Sequence, residues 1–108
     1  MEKTIVYHKL IRDKIPQIIE QTGGRCQVAV LEQADYIAKL EEKLGEELAE
    51  YLQSRELEEL ADLLEVMDAL VAATGHTWQE LTQLKAEKRE KRGGFEEKLL
   101  LLEVTREE

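Results

Sequence analysis

The sequence predicts an all-α fold: a helical bundle built on one antiparallel helix hairpin, with one or two short strands near residues 26–31 and 98–104. Three observations carry that prediction. Apolar residues recur at helical spacing through two long stretches, residues 34–53 and 56–74, separated only by a short break at Ser54 and Arg55. A third helical stretch opens on Thr77-Trp78-Gln79-Glu80, the pattern of a capping box. One proline and six glycines in 108 residues leave long helices uninterrupted.

The elements follow in chain order. Thr4 to Tyr7 is β-branched and aromatic and is expected to be extended. Pro16 suits the first turn of a short helix, where its missing N–H costs little. Ile15, Ile18 and Ile19 give that helix an apolar face, and Gly23-Gly24 ends it. Cys26, Val28 and Val30 then alternate with Gln27 and Ala29, a short strand signal. In the first long helix Ile37, Leu40, Leu44, Leu48 and Tyr51 form one stripe. The second carries Leu57, Leu60, Leu63, Leu64, Met67, Leu70 and Val71. Val66 widens that arc to about half the circumference at about 100° per residue. A helix apolar over that much of its surface is expected to pack against more than one neighbour, as a central helix or in an oligomer interface. Gly75 is the expected C′ residue. The third long helix holds Leu81 and Leu84, becomes highly charged in KAEKREKR and stops at Gly93-Gly94. The run LLLLEV beyond it reads as a second strand able to pair with residues 26–31. No internal repeat or low-complexity linker interrupts the chain, so residues 1–108 read as a single domain.

Composition narrows the function. The net charge of −9 repels phosphate backbones and argues against general nucleic-acid binding. It is compatible with a phosphate ligand where cations intervene, because carboxylates, Mg²⁺ and phosphate oxygens form a common bridge. Cys26 is the one cysteine, so no intrachain disulfide can form. No apolar run approaches the roughly 18 residues of a membrane span, and MEKTIVYHKL has no signal-peptide core. A cytoplasmic protein without a membrane partner is the expectation.

The chemistry-bearing feature is acidic. Glu47 and Glu50 are spaced i, i+3, and so are Glu59 and Asp62. That spacing stacks each pair one turn apart on one helix face. Across an antiparallel hairpin, Glu50 faces the level of Glu59 and Glu47 that of Asp62, because both pairs are symmetric about the same point. All four carboxylates can therefore reach one band, at the margin of the apolar stripes. Partly buried acids in such a cluster must protonate, pair with cations or bind metal. Hard oxygen donors suit Mg²⁺ or Mn²⁺. The alternative is a solvated acidic face, since 24 acids supply many i, i+3 pairs. Glu46 points mostly away from the stripe. Asp68, beside Leu57 and Leu64, is either a capping or salt-bridge partner or part of the site. His8, His76 and Cys26 lack metal-ligand spacing, which argues against zinc. Trp78, Tyr7, Tyr36 and Tyr51 read first as packing residues, with stacking on a base the other option for Trp78.

EELAE (46–50) followed by EELAD (58–62) resembles the ExxE…ExxD signature of the all-α nucleoside triphosphate pyrophosphatase superfamily, which includes MazG-type proteins and phosphoribosyl-ATP pyrophosphohydrolases. YHKLIRDKIPQII (7–19) is similar to the opening, and KREKRGGFEEKLLL (88–101) to the closing segment, of a MazG-like branch related to the latter enzymes. The resemblance spans nearly the whole chain. It implies a helical bundle, Mg²⁺ dependence, homodimers or larger assemblies, and cleavage of a nucleotide between its α and β phosphates to give a nucleoside monophosphate and pyrophosphate. Carried onto this sequence, the metal ligands are Glu47, Glu50, Glu59 and Asp62. Glu47 or Glu50 would orient or deprotonate the attacking water. Candidates for cationic support of the leaving pyrophosphate are Lys85, Lys88, Arg89 and Arg92, and Lys9, Arg12 and Lys14; the alternative is an ordinary solvated charged helix, which is the better reading for Lys88. Arg12 and Arg92 are singled out because they stand in the two flanking segments. Gly45, inside the helix just before the acidic motif, departs from good helix composition. Three functions stay open: hydrolysis of non-standard nucleotides as a house-cleaning activity, phosphoribosyl-ATP pyrophosphohydrolysis in histidine synthesis, and a non-enzymatic helical dimerisation or regulatory module.

Overall fold

The computed structural model describes residues 1–107 and contains four helices: α1 (Ile15–Gln21), α2 (Gln33–Ser54), α3 (Leu57–Ala73) and α4 (Trp78–Arg92). The chain is all-α, as its periodicity predicts. Two compact units divide it, Met1–His76 and the stretch from Thr77 onward. The first holds α1, α2 and α3; the second holds α4.

In the first unit α2 and α3 form the hairpin. Only Arg55 and Glu56 connect them. Arg55 takes a left-handed conformation, φ 61°. Its N–H donates to the Tyr51 carbonyl at 2.7 Å and its Nε–H to the Leu52 carbonyl at 2.8 Å. Its guanidinium lies 6.0 Å from the Tyr51 ring centroid. Two carbonyls that the end of α2 would leave open are thereby satisfied. A left-handed L-residue costs about 1–2 kcal/mol, and these bonds offset that cost. At the other end of the hairpin, Gln33 Nε2 donates to the Ala73 carbonyl at 2.7 Å and ties the start of α2 to the end of α3.

Glycine terminates two helices by the same device. Gly75 at φ 83° donates its N–H to the Ala72 carbonyl, and His76 donates to Val71. Gly23 at φ 90° donates to Glu20, and Gly24 to Ile19. Both are Schellman closures, and the left-handed residue each requires is why glycine stands there. In the second unit the capping box of α4 is formed: the Glu80 N–H donates to Thr77 Oγ1 at 3.1 Å, and the Thr77 N–H to Glu80 Oε1 at 3.1 Å.

The two expected strands are not there. Residues 26–31 and 98–104 are irregular and exposed, and no strand occurs among the described residues. Alternation of period two describes an extended chain, but a strand also needs a ladder partner, and neither segment has one. Tyr7, read as a packing residue, is exposed. Among the described residues no helix is long and apolar enough to cross a membrane.

Burial within the hairpin is sparse. Leu40 on α2 and Val66 on α3 are the buried apolar side chains, 3% and 6% exposed, and Glu47 is buried with them at 7%. Leu40 and Glu47 are seven residues apart and so share the face of α2 that meets α3. Along α3 the stripe Leu57, Leu60, Leu64 and Met67 stays exposed, from 38% at Met67 to 81% at Leu57. The wide apolar arc of α3 is thus only partly covered within one chain.

Candidate metal centre

Three carboxylates converge on the hairpin. Glu47 and Glu50 come from successive turns of α2, and Glu59 from the first turn of α3. One oxygen from each lies within 4.8 Å of the others. Glu47 is buried, Glu59 half-buried and Glu50 exposed, so the cluster runs from the helix interface outward to solvent.

Its electrostatics are unfavourable without a cation. Glu47 Oε1 forms an ion pair with Lys43 Nζ at 3.4 Å, whereas its buried Oε2 has no hydrogen-bond partner. Burial, followed by the charge of Glu50 and a hydrogen bond with it, holds the Glu47 carboxyl above its ordinary value of 4.5, against the opposing pull of Lys43. Glu59 is raised as well, by desolvation first and then by the charges of Glu50, Asp62, Glu47 and Glu58. Two like charges at about 4 Å repel by about 4 kcal/mol at an effective dielectric near 20. A partly screened lysine pair contributes about 0–1 kcal/mol in return. Lys43 alone does not neutralise three carboxylates.

The donor set fits a hard divalent cation. All three groups are oxygen donors, and no histidine or cysteine joins them. Mg²⁺ and Mn²⁺ take such ligands, together with water on an open side, whereas zinc sites favour nitrogen and sulfur. Glu47 Oε2, buried without a hydrogen-bond partner, leaves that carboxylate with a demand that a proton or a cation would meet.

Asp62 is not among these three, although its charge acts on Glu59. Its Oδ1 accepts from Arg12 NH2 at 2.7 Å. Arg12, expected at phosphate, is therefore engaged by the fourth carboxylate. Lys9 pairs with Glu46 at 3.8 Å, and Lys39 Nζ donates to the His8 carbonyl at 3.4 Å. These contacts lay the segment before α1 against the hairpin, beside the acidic cluster. Lys85, Arg89 and Arg92 lie on α4 in the second unit. There Arg89 donates to Glu96 at 2.6 Å and holds the Glu96 carboxyl below its ordinary range. Asp68 is exposed and outside the cluster, and Cys26 is an exposed free thiol.

Sequence reasoning overlooked Lys43. Its signal was local, because a lysine four residues before Glu47 shares that face of α2. The Arg12–Asp62 and Lys9–Glu46 pairs had no local signal, since they join residues far apart in the chain.

No family model matches the chain, and neither does any curated protein or solved structure.

Proposed function

We propose that this protein is a Mg²⁺-dependent nucleotide pyrophosphohydrolase of the all-α, MazG-like type, which cleaves between the α and β phosphates and releases a nucleoside monophosphate and pyrophosphate. One observation supports it above the others: three carboxylates from two helices within 4.8 Å, one of them buried with an unpartnered oxygen. The ExxE…ExxD spacing and its two flanking segments supply the reaction class.

A divalent cation, Mg²⁺ or Mn²⁺, supplies charge neutralisation at the phosphates and acidifies water there. Glu47, buried between the helices, would hold it together with Glu50 and Glu59, and Asp62 would join them once Arg12 turns from it to phosphate. Glu50, open to solvent, accepts the proton of the attacking water. Arg12 and Lys9, in the same unit as the carboxylates, would hold phosphate oxygens and support the negative charge of the departing pyrophosphate. The substrate belongs to the non-standard nucleotides of the cytoplasm, in a house-cleaning role. The chain works as a homodimer or larger homo-oligomer, a reading supported by the exposed stripe of Leu57, Leu60, Leu64 and Met67.

The test is a pyrophosphate-release screen with Mg²⁺ across standard nucleotides, damaged nucleotides and phosphoribosyl-ATP. Release from damaged nucleotides is the expected result. Activity confined to phosphoribosyl-ATP would move the protein to histidine synthesis, and no release from any substrate would leave a non-enzymatic helical module.

A further inference from the structure

We infer that Arg12 is an exchangeable guard on Asp62, which keeps the fourth carboxylate of the hairpin out of the cation site until the guanidinium leaves. The inference rests on the metal reading above and adds a residue that sets how many carboxylates a cation meets.

Glu59 and Asp62 lie one turn apart on the same face of α3. By that spacing Asp62 belongs with the other three. Yet the three-carboxylate cluster forms without it, and Asp62 Oδ1 instead accepts from Arg12 at 2.7 Å. A guanidinium and a divalent cation compete for the same carboxylate oxygens, because each needs the ionised group. The pair is not locked in place. Its side chains are 55% and 42% exposed, and Arg12 precedes α1 on a segment that is exposed over most of its length. An ion pair this open contributes little and exchanges readily. Lys43, which faces Glu47 at 3.4 Å, cannot fill the same role, since Glu47 already belongs to the cluster.

Manganese titration of the full chain without nucleotide, followed by the loss of the free Mn²⁺ resonance signal, tests this. The four proteins are wild type, Arg12→Gln, Asp62→Asn and the double variant, each checked for helicity by circular dichroism. Freeing Asp62 should tighten Mn²⁺ binding in Arg12→Gln by about fivefold, the scale of one exposed ion pair. Asp62→Asn should show no such gain, because Arg12 has no other carboxylate of the hairpin to release. In the double variant the gain should vanish. A gain that persists without Asp62 would mean simple loss of positive charge and overturn the guard, as would no gain in Arg12→Gln. Wild type that binds no Mn²⁺ would overturn the metal reading itself, and the guard with it.

Discussion

Glu47 is a buried acid held among like charges. One of its oxygens is unpartnered, and Glu50 adds a second negative charge beside it. Its pKa is raised in the folded state, so between 4.5 and that raised value the native protein holds a proton that the unfolded chain has released. The Glu47 contribution to the stability of the metal-free protein is then fullest below about pH 4.5 and is lost as pH rises through the raised value. Glu59 is shifted in the same direction and adds to the trend. Glu47→Gln removes the buried charge while keeping the shape. Urea denaturation in the presence of a chelator should show the variant more stable than wild type near neutral pH by about 1–3 kcal/mol, with a flatter pH dependence. An unchanged pH dependence would mean that Glu47 is already compensated without metal.

At the scale of elements, local rules account for the helices and their ends. The capping box at Thr77 and Glu80, the Schellman closures at Gly23-Gly24 and Gly75, and Pro16 in the first turn of α1 were all legible, because each depends on neighbours in sequence. The strands at 26–31 and 98–104 were misread because pairing is a property of two segments, and alternation reports on only one. The break at Ser54 and Arg55 was legible, but its left-handed backbone was not, since an arginine stands where glycine would have announced it. Among the site residues, the i, i+3 spacing put Glu47 with Glu50, and the short turn brought Glu59 to them. Asp62 has the same spacing to Glu59, but its partner Arg12 lies fifty positions away, beyond any periodicity argument. Gly45 is an element-scale weakness: a Cβ built there meets nothing within 4 Å, so neither a close helix contact nor a turn accounts for the glycine. Gly45→Ala should stabilise α2 by about 0.5–1 kcal/mol, read as a rise of several degrees in Tm. A fall in Tm would place a close neighbour at Gly45 in the assembled protein.

For the whole molecule, the sparse buried core sets the expectation. Leu40 and Val66 bury little surface between them, while Leu57, Leu60, Leu64 and Met67 line α3 in the open. Covering that stripe would add to the stability of the hairpin, and in the proposed homo-oligomer a second copy of the same stripe is the self-complementary cover under two-fold symmetry. Light scattering should therefore report a dimer or larger assembly, and placing a charge in the stripe with Leu64→Glu should shift it toward monomer and lower Tm. A wild-type monomer at micromolar concentration would remove oligomerisation from the account.

The decisive question is whether the hairpin carboxylates perform metal-dependent hydrolysis. Pyrophosphate release with increasing Mg²⁺, compared between wild type and Glu50→Ala/Asp62→Ala, is its most direct test. Saturable, Mg²⁺-dependent release by wild type and its loss in a variant of unchanged helicity are predicted. Undiminished release by the variant would contradict the assignment of these carboxylates.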